Sequence, residues 1–208
     1  NYKTFGHLWY NFIRILFNYS TGQVFMRLGG QVHASQHINT EDYIEASNAS
    51  YNLMNLWLGE VDNNLKEEVL LASILQEIGK FILSELIVSR GLLKQFHEKL
   101  ELGFDIVDVE KELLGVTTSQ VTAEIFKYWG LDDNLSNMIR FVDNIDKCTD
   151  KYKQKSQVLD VVKTACNPYS LLSDSSVEKA LKKAILYNLE VETLSNVLKT
   201  LQSRLLEQ

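Results

Sequence analysis

The sequence contains little proline and little cysteine, and both shortages narrow the kind of protein that it can encode. Pro168 is the single proline among 208 residues, which is typical of long helices because helix interiors exclude proline. Cys148 and Cys166, the two cysteines, are too far apart for a CxxC pair and too few for a disulfide scaffold. We expect both to be reduced thiols of a cytoplasmic protein.

No stretch of the sequence is both long and apolar enough to cross a membrane. The most apolar one, residues 8–17, contains Asn11 and Arg14, whereas a spanning helix needs about 20 apolar residues. Arg14 also interrupts the pattern of a signal peptide. We predict no transmembrane span. The sequence begins with Asn1 rather than methionine, which leaves open that it is part of a longer chain.

Charge is unevenly distributed along the sequence. The 21 basic and 27 acidic residues give a net charge of −6, which disfavours a nucleic-acid partner because phosphate backbones are repelled. Residues 1–40 contain no acidic residue and eight of the 21 aromatic residues. We predict an aromatic N-terminal segment there, which either packs on the protein or lies on a membrane surface, and one helical domain at 41–208. Packing is favoured, because the segment lacks a cluster of lysine and arginine.

Helix patterns dominate from residue 40 onward. Apolar residues recur at three- and four-residue spacing, and no alternating strand pattern is present. The first helix is predicted to begin at Thr40 and end at Gly59, and residues 65–88, apolar almost all round, to form one central buried helix. Further helices are predicted at residues 91–100, 107–114, 118–129, 132–141, 157–166, 174–186 and 191–206.

Residues suited to metal binding or nucleophilic catalysis are scarce. Only His33 and His37 have the spacing that places two imidazoles on one helix face, and we interpret them as a polar linker because no HExxH glutamate accompanies them. A catalytic histidine in the ordered core would have to be His97. Neighbouring carboxylates such as Glu110 and Glu112 are interpreted as the solvated face of a helix.

Two motifs, in this order along the chain, carry a family resemblance. Residues 71–83 read Leu-Ala-Ser-Ile-Leu-Gln-Glu-Ile-Gly-Lys-Phe-Ile-Leu. Residues 112–121 read Glu-Leu-Leu-Gly-Val-Thr-Thr-Ser-Gln-Val and are followed by Tyr-Trp-Gly-Leu at 128–131. They resemble the HDOD domain, an all-helical bacterial relative of the HD-domain metal-dependent phosphohydrolases, over roughly residues 40–165. The resemblance implies an HD-like bundle of orthogonally packed helices, and it leaves open that residues 1–40 are a diverged or incomplete version of the helices that precede this bundle in the family.

The resemblance also indicates where a metal would bind. In HD-domain hydrolases a His-Asp pair on the buried helix binds metal and activates water, and Gln76 and Glu77 stand at those positions here. Thr118 replaces a further histidine. Val142 and Asp143 occupy the place of a histidine pair. Most of the expected ligands are therefore missing.

Two more positions follow from the same resemblance. The first family histidine corresponds to Asn48, with an uncertainty of one residue, and a later aspartate corresponds to Lys163 or Thr164, with Asp160 one turn away. Together the matched and neighbouring polar positions define what we call the candidate pocket. Its residues are Asn48, Gln76, Glu77, Lys80, Thr118, Arg140 and Asp143.

For the candidate pocket we expect no catalytic residue, no bound metal and no cofactor. Buried polar groups need partners, and two arrangements would supply them. Glu77 and Lys80 at i,i+3, or a nearby Arg140, could fill the pocket with an ion pair. Alternatively, Lys80 and Arg140 could hold the anionic group of a small molecule.

The resemblance implies a non-catalytic HDOD-type signalling or regulatory domain of the bacterial cytoplasm that binds other proteins. We expect the binding surface among exposed apolar residues of the N-terminal segment or the last helices, and a homodimer is an open alternative. Two other functions stay open. One is a divergent phosphohydrolase that uses Glu77, Asp143 and Asp160 as oxygen ligands for Mg²⁺ or Mn²⁺. The other is a small-molecule or nucleotide sensor that uses the candidate pocket.

Overall fold

Helices make up the regular structure of residues 40–206, the part of the chain that the computed structural model describes, and no strand occurs within it. In chain order the helices are α1 (Thr40–Val61), α2 (Asn63–Leu75), α3 (Gly79–Ser89), α4 (Leu93–Glu101), α5 (Ile106–Leu114), α6 (Thr118–Tyr128), α7 (Asp133–Arg140), α8 (Asp150–Ala165), α9 (Asp174–Leu186) and α10 (Glu192–Leu206). A 3₁₀ turn at Ile145–Lys147 separates α7 from α8. The predicted all-α class is confirmed. The N-terminal segment, His33 and His37 lie outside the described residues.

Two helix boundaries differ from those predicted. Helix α1 continues past Gly59, where an added side chain would meet only Lys66 Nζ at 4.0 Å, and stops where Asp62 caps α2 by accepting a hydrogen bond from the Leu65 amide. Helix α8 begins at Asp150 rather than near residue 157. Its first two turns are mostly polar and bury only Tyr152 and Ser156, too few apolar positions for the periodicity to reveal a helix.

The predicted single helix at 65–88 is in fact two helices. Residues 76–78 form a turn between α2 and α3. The hydroxyl of Thr122 on α6 hydrogen-bonds to backbone groups on both sides of this turn, in place of bonds within a continuous helix. The amide of Gly79 donates to Thr122 Oγ1 at 3.0 Å, and the same hydroxyl lies 2.9 Å from the carbonyl oxygen of Gln76. This turn is the first structural element of the functional site.

The core is built around α1 and α8. Helix α1 packs against α2, α8 and α10, and α8 also packs against α7 and α9. Trp57 of α1 is buried and its indole N–H donates to the carbonyl of Glu190 at 3.1 Å. A smaller cluster of Ile87, Phe96 and Val109 joins α3, α4 and α5. Helix α6 packs on α3 and α7, which brings its N-terminus to the α2–α3 turn.

We predict that Gly79→Ala destabilises the protein strongly and that Gly59→Ala does not. A methyl group at Gly79 would lie 2.6 Å from the Thr118 carbonyl oxygen and 2.9 Å from the Thr122 amide nitrogen, both backbone atoms. We expect a loss of about 1–3 kcal/mol or more in the free energy of unfolding. At Gly59 the nearest atom is 4.0 Å away, so higher helix propensity should leave stability unchanged or raised by up to about 1 kcal/mol. Urea titrations of both variants measure this, and equal losses would contradict the close approach of α6.

Candidate functional site

Glu77 and Lys80 form the ion pair that the sequence predicts. Lys80 lies in the first turn of α3, three residues after Glu77 in the α2–α3 turn, and its Nζ is 2.8 Å from Glu77 Oε2. The two side chains are only 1% and 7% exposed. Removing charges from water is costly unless each charge has enough partners. Lys80 and Glu77 each have a further charged partner in the same region.

Glu110 of α5 is the second carboxylate of that arrangement. It accepts hydrogen bonds from the amide of Thr118 at 2.7 Å and from the Thr118 hydroxyl at 2.6 Å. Lys80 Nζ lies 3.5 Å from the same carboxylate and 3.5 Å from the Thr118 hydroxyl. A carboxylate at a helix N-terminus satisfies free amide groups and favours the helix dipole. Glu110 thus anchors both Lys80 and the start of α6.

Asp143 and Lys163 complete the arrangement. Asp143 follows α7 and accepts a hydrogen bond from the Ser119 amide at 3.2 Å. Lys163 of α8 contacts three oxygens, namely Asp143 Oδ1 at 2.6 Å, the Ser119 hydroxyl at 3.0 Å and Glu77 Oε1 at 3.5 Å. We call Glu77, Lys80, Glu110, Asp143 and Lys163 the buried ion cluster.

Burial and neighbouring charges shift the pKa values of three groups of the cluster in opposite directions, and the neighbouring charges have the larger net effect. Burial alone would raise the pKa of Asp143, but the Lys163 ammonium and hydrogen bonds from Thr117 and Ser119 together hold that pKa well below its usual range. Burial would lower the pKa of Lys80, yet Glu77 and Glu110 raise it above the ordinary value. The pKa of Lys163 is likewise raised, by Asp143 and Glu77, against the effect of burial. These three groups therefore stay charged at neutral pH.

The structure corrects the candidate pocket at two positions. Asn48 is exposed on α1, whereas the preceding residue, Ser47, is buried. One residue turns a helix by about 100°, so the uncertainty of one position decides whether the matched side chain is buried or exposed. Arg140 lies at the end of α7 and pairs with Glu124 at 2.5 Å, where the two side chains are 25% and 63% exposed. Neither residue joins the buried ion cluster.

Five residues of the candidate pocket do lie at the site, namely Gln76, Glu77, Lys80, Thr118 and Asp143. The interpretation of Glu110 as part of a solvated helix face is wrong. Glu110 is 2% exposed, while Glu112 is exposed. Its position indicated this, because Ile106 and Leu114 lie one turn away on either side, on the apolar face of α5. The resemblance names Lys163 as one of two positions for a family aspartate, whereas Ser119 carried no signal.

Asp160 has partners of its own. It accepts from Lys183 at 2.6 Å and from the hydroxyl of Tyr187 at 2.6 Å, both on or just after α9. Burial raises the pKa of this carboxyl despite those two partners. Asp160 thus pairs with Lys183, whereas Glu77 and Asp143 both contact Lys163.

The site residues do not fit a resident divalent metal. Lys80 and Lys163 place ammonium groups against the carboxylates that would have to bind it, and Gln76 offers only a neutral carbonyl oxygen. Within residues 40–206 no three His, Cys, Asp or Glu side chains are arranged to hold a metal ion.

We predict that Glu110→Ala destabilises the protein by about 3–5 kcal/mol, because it removes one of the two carboxylates that pair with buried Lys80 and also the acceptor of the Thr118 amide and hydroxyl. Glu112→Ala is the matched control on the same helix: its carboxylate is exposed and pairs with Lys99 at 2.9 Å, and its loss should cost about 1 kcal/mol or less. The measurement is the free energy of unfolding in urea. A Glu110→Ala loss no larger than the control would contradict the energetic role of the cluster.

Among the described helices none is long and apolar enough to cross a membrane.

No curated protein sequence matches the chain. Two solved structures share the fold at 22% identity, each over 78% of this chain. One is a virulence factor from Campylobacter jejuni subsp. jejuni, with a TM-score of 0.58 and 61% of its length covered. The other is a putative phosphohydrolase from Shewanella amazonensis SB2B, with a TM-score of 0.52 and 57% covered. The chain thus spans about six-tenths of each.

The family match covers a different range from the one that the motifs indicate, and it ends at residue 145 rather than near residue 165. The family model of the HDOD domain matches residues 17–145, more than half of the 208-residue chain. It begins well before residue 40, where the motif resemblance started, and so takes in part of the aromatic N-terminal segment. With the all-helical fold and the two motifs in place, the chain belongs to the HDOD domain family.

Proposed function

We propose that this chain is a non-catalytic HDOD domain that acts in signalling or regulation by binding other proteins. The buried ion cluster is the observation that carries the proposal. Metal-assisted hydrolysis needs a cation that can bind water and lower its pKa. Here Lys80 and Lys163 satisfy the carboxylates instead, and an ammonium group cannot coordinate a water molecule as a Lewis acid. The helical fold of the family is retained, but the charged groups at this site do not support metal-assisted hydrolysis.

The geometry gives the two alternatives less support. A sensor of anionic ligands would need Lys80 and Arg140 together, but Lys80 is fully engaged by carboxylates and Arg140 pairs with Glu124. A phosphohydrolase would need shared carboxylate ligands, and Asp160 is paired with Lys183 instead. The name of the Shewanella protein describes that protein, whose identity to this chain is 22%.

Exposed apolar residues support a protein partner. Ile185 and Leu186, at the end of α9, are 65% and 76% exposed, and neighbouring exposed apolar side chains are typical of interaction surfaces. They lie in the last helices, one of the two places where the sequence predicts a binding surface. Cys148 and Cys166 are free and buried, which supports a reducing compartment such as the cytoplasm. A homodimer stays a prediction.

The first test concerns catalysis. We expect phosphodiester and nucleotide substrates with Mn²⁺ or Mg²⁺ to be turned over no faster than in buffer, and Glu77→Gln to leave that background unchanged. Glu67→Gln, at an exposed position of α2, is the control for preparation-dependent contamination. Turnover that disappears with Glu77→Gln but persists with Glu67→Gln would refute the non-catalytic proposal.

The second test concerns binding. The chain with Ile185→Glu and Leu186→Glu should lose proteins that the unmodified chain captures from the cytosol of its native host, because charges on an apolar contact prevent its burial. Tyr128→Glu is the control, since Tyr128 is 80% exposed on α6. We expect at least about a tenfold loss of captured partner for the double variant, corresponding to about 1.4 kcal/mol, and no loss for the control. Capture of no partner above background would contradict the proposal.

A further inference from the structure

The last turn of α9 presents Ile185 and Leu186 to solvent from an anchored helix end. Asp160 of α8 is buried and contacts the residues on either side of the pair. Its carboxylate lies 2.6 Å from Lys183 Nζ and accepts a hydrogen bond from the Tyr187 hydroxyl, also at 2.6 Å. Ile185 and Leu186 are nevertheless largely exposed. Two bulky apolar side chains are therefore exposed on a turn that the protein interior holds in place.

Backbone hydrogen bonds also close the end of α9. Asn188 adopts the left-handed conformation with a φ of 55°, and its amide donates to the carbonyl of Ile185 at 3.0 Å. The amide of Leu189 donates to the carbonyl of Ala184 at 2.9 Å. This pattern is a Schellman motif, which satisfies carbonyl groups at a helix C-terminus. A surface that is already ordered loses little conformational entropy when a partner binds, so a small surface can contribute to binding.

Lysines share the exposed face of α9 with the apolar pair. Lys182 lies one turn before Ile185 and Leu186, and Lys179 lies almost one turn before Lys182. Both lysines are exposed. Lys182 contacts Glu178 at 2.5 Å, but the two side chains are 71% and 67% exposed, and such pairs contribute little. This face is therefore apolar with an excess of positive charge, although the whole chain has a net charge of −6.

We propose that this face of α9 binds an acidic amphipathic helix of a partner protein. Exposed side chains at three- and four-residue spacing form the kind of ridge that packs against another helix. Carboxylates of the partner helix would lie opposite Lys179 and Lys182, and its apolar residues would cover Ile185 and Leu186. The inference rests on the proposed function, because it specifies the chemistry of the partner that binds this surface.

The same observations disfavour two other occupants. A symmetric dimer through this face would bring two copies of the same basic surface together, and like charges repel. A helix that binds at a membrane surface needs a long apolar face. Helix α9 packs its other side against α8, and the large apolar side chains that it exposes are Ile185 and Leu186, both at its end.

The experiment uses two synthetic helical peptides with the same leucines at three- and four-residue spacing. One peptide has glutamates beside the leucines and the other has lysines at the same positions. By fluorescence anisotropy at low salt, we expect the unmodified chain to bind the glutamate peptide at least about tenfold more tightly than the lysine peptide. Added salt should reduce this difference, because it screens exposed charges. Ile185→Glu/Leu186→Glu should lose binding of the glutamate peptide.

Charge reversal on α9 is the decisive variant. Lys179→Glu/Lys182→Glu should prefer the lysine peptide, because the charges that select the partner are inverted. Lys94→Glu/Lys127→Glu is the matched control, with the same change in net charge at exposed positions of α4 and α6. Lys94, like Lys182, pairs with a glutamate four residues later in the chain. The control should keep the preference for the glutamate peptide.

The remaining outcomes would overturn the inference. Equal affinity for the two peptides, or an unchanged preference in Lys179→Glu/Lys182→Glu, would refute an acidic partner; capture of a protein that requires Ile185 and Leu186 would then leave the proposed function intact. Binding of phosphatidylglycerol vesicles through the same lysines, without peptide binding, would identify a membrane instead. A dimer in analytical ultracentrifugation that Ile185→Glu/Leu186→Glu dissociates would identify a second copy of the chain. Absence of both peptide binding and protein capture would refute the inference and the proposed function together.

Discussion

The structure depends on ion pairs between acidic and basic side chains that are buried together. Three carboxylates and two ammonium groups, those of Glu77, Glu110, Asp143, Lys80 and Lys163, lie within one cluster. Isolated, each of these charges would be too costly to remove from water. Paired, they connect the α2–α3 turn, α5, the loop after α7 and α8. The two carboxylates at the start of α6 also meet the positive end of its helix dipole.

The break between α2 and α3 places the first of these charges. A continuous helix would hydrogen-bond its own amides, but here the Thr122 hydroxyl serves Gly79 from a neighbouring helix. The absence of a side chain at Gly79 allows α6 to approach that closely. The close approach in turn puts Thr118 and Ser119, the first residues of α6, beside Glu110 and Asp143. The close packing of α6 on the α2–α3 turn and the contacts of Glu110 and Asp143 at the start of α6 therefore depend on each other.

Local patterns in the sequence predicted the helical class and the Glu77–Lys80 pair, because both depend on residues close together in the chain. The helix break at 76–78 was missed, since its cause is a hydroxyl on α6. Asn48 is exposed on α1, and an alignment that is uncertain by one residue does not fix the helix face. The contacts of Lys163 with Asp143 and Glu77 join distant parts of the chain, and no periodicity within one helix can reveal such pairings.

The central claim is that lysine ammonium groups take the place of a metal in this HDOD domain. A crystal of the unmodified protein soaked in Mn²⁺ tests it most directly, through anomalous diffraction above the manganese absorption edge. The account predicts no anomalous peak beside Glu77 and Asp143, with density for the Lys80 and Lys163 side chains ending among the carboxylates. An anomalous peak coordinated by those carboxylates, with either lysine displaced, would contradict it.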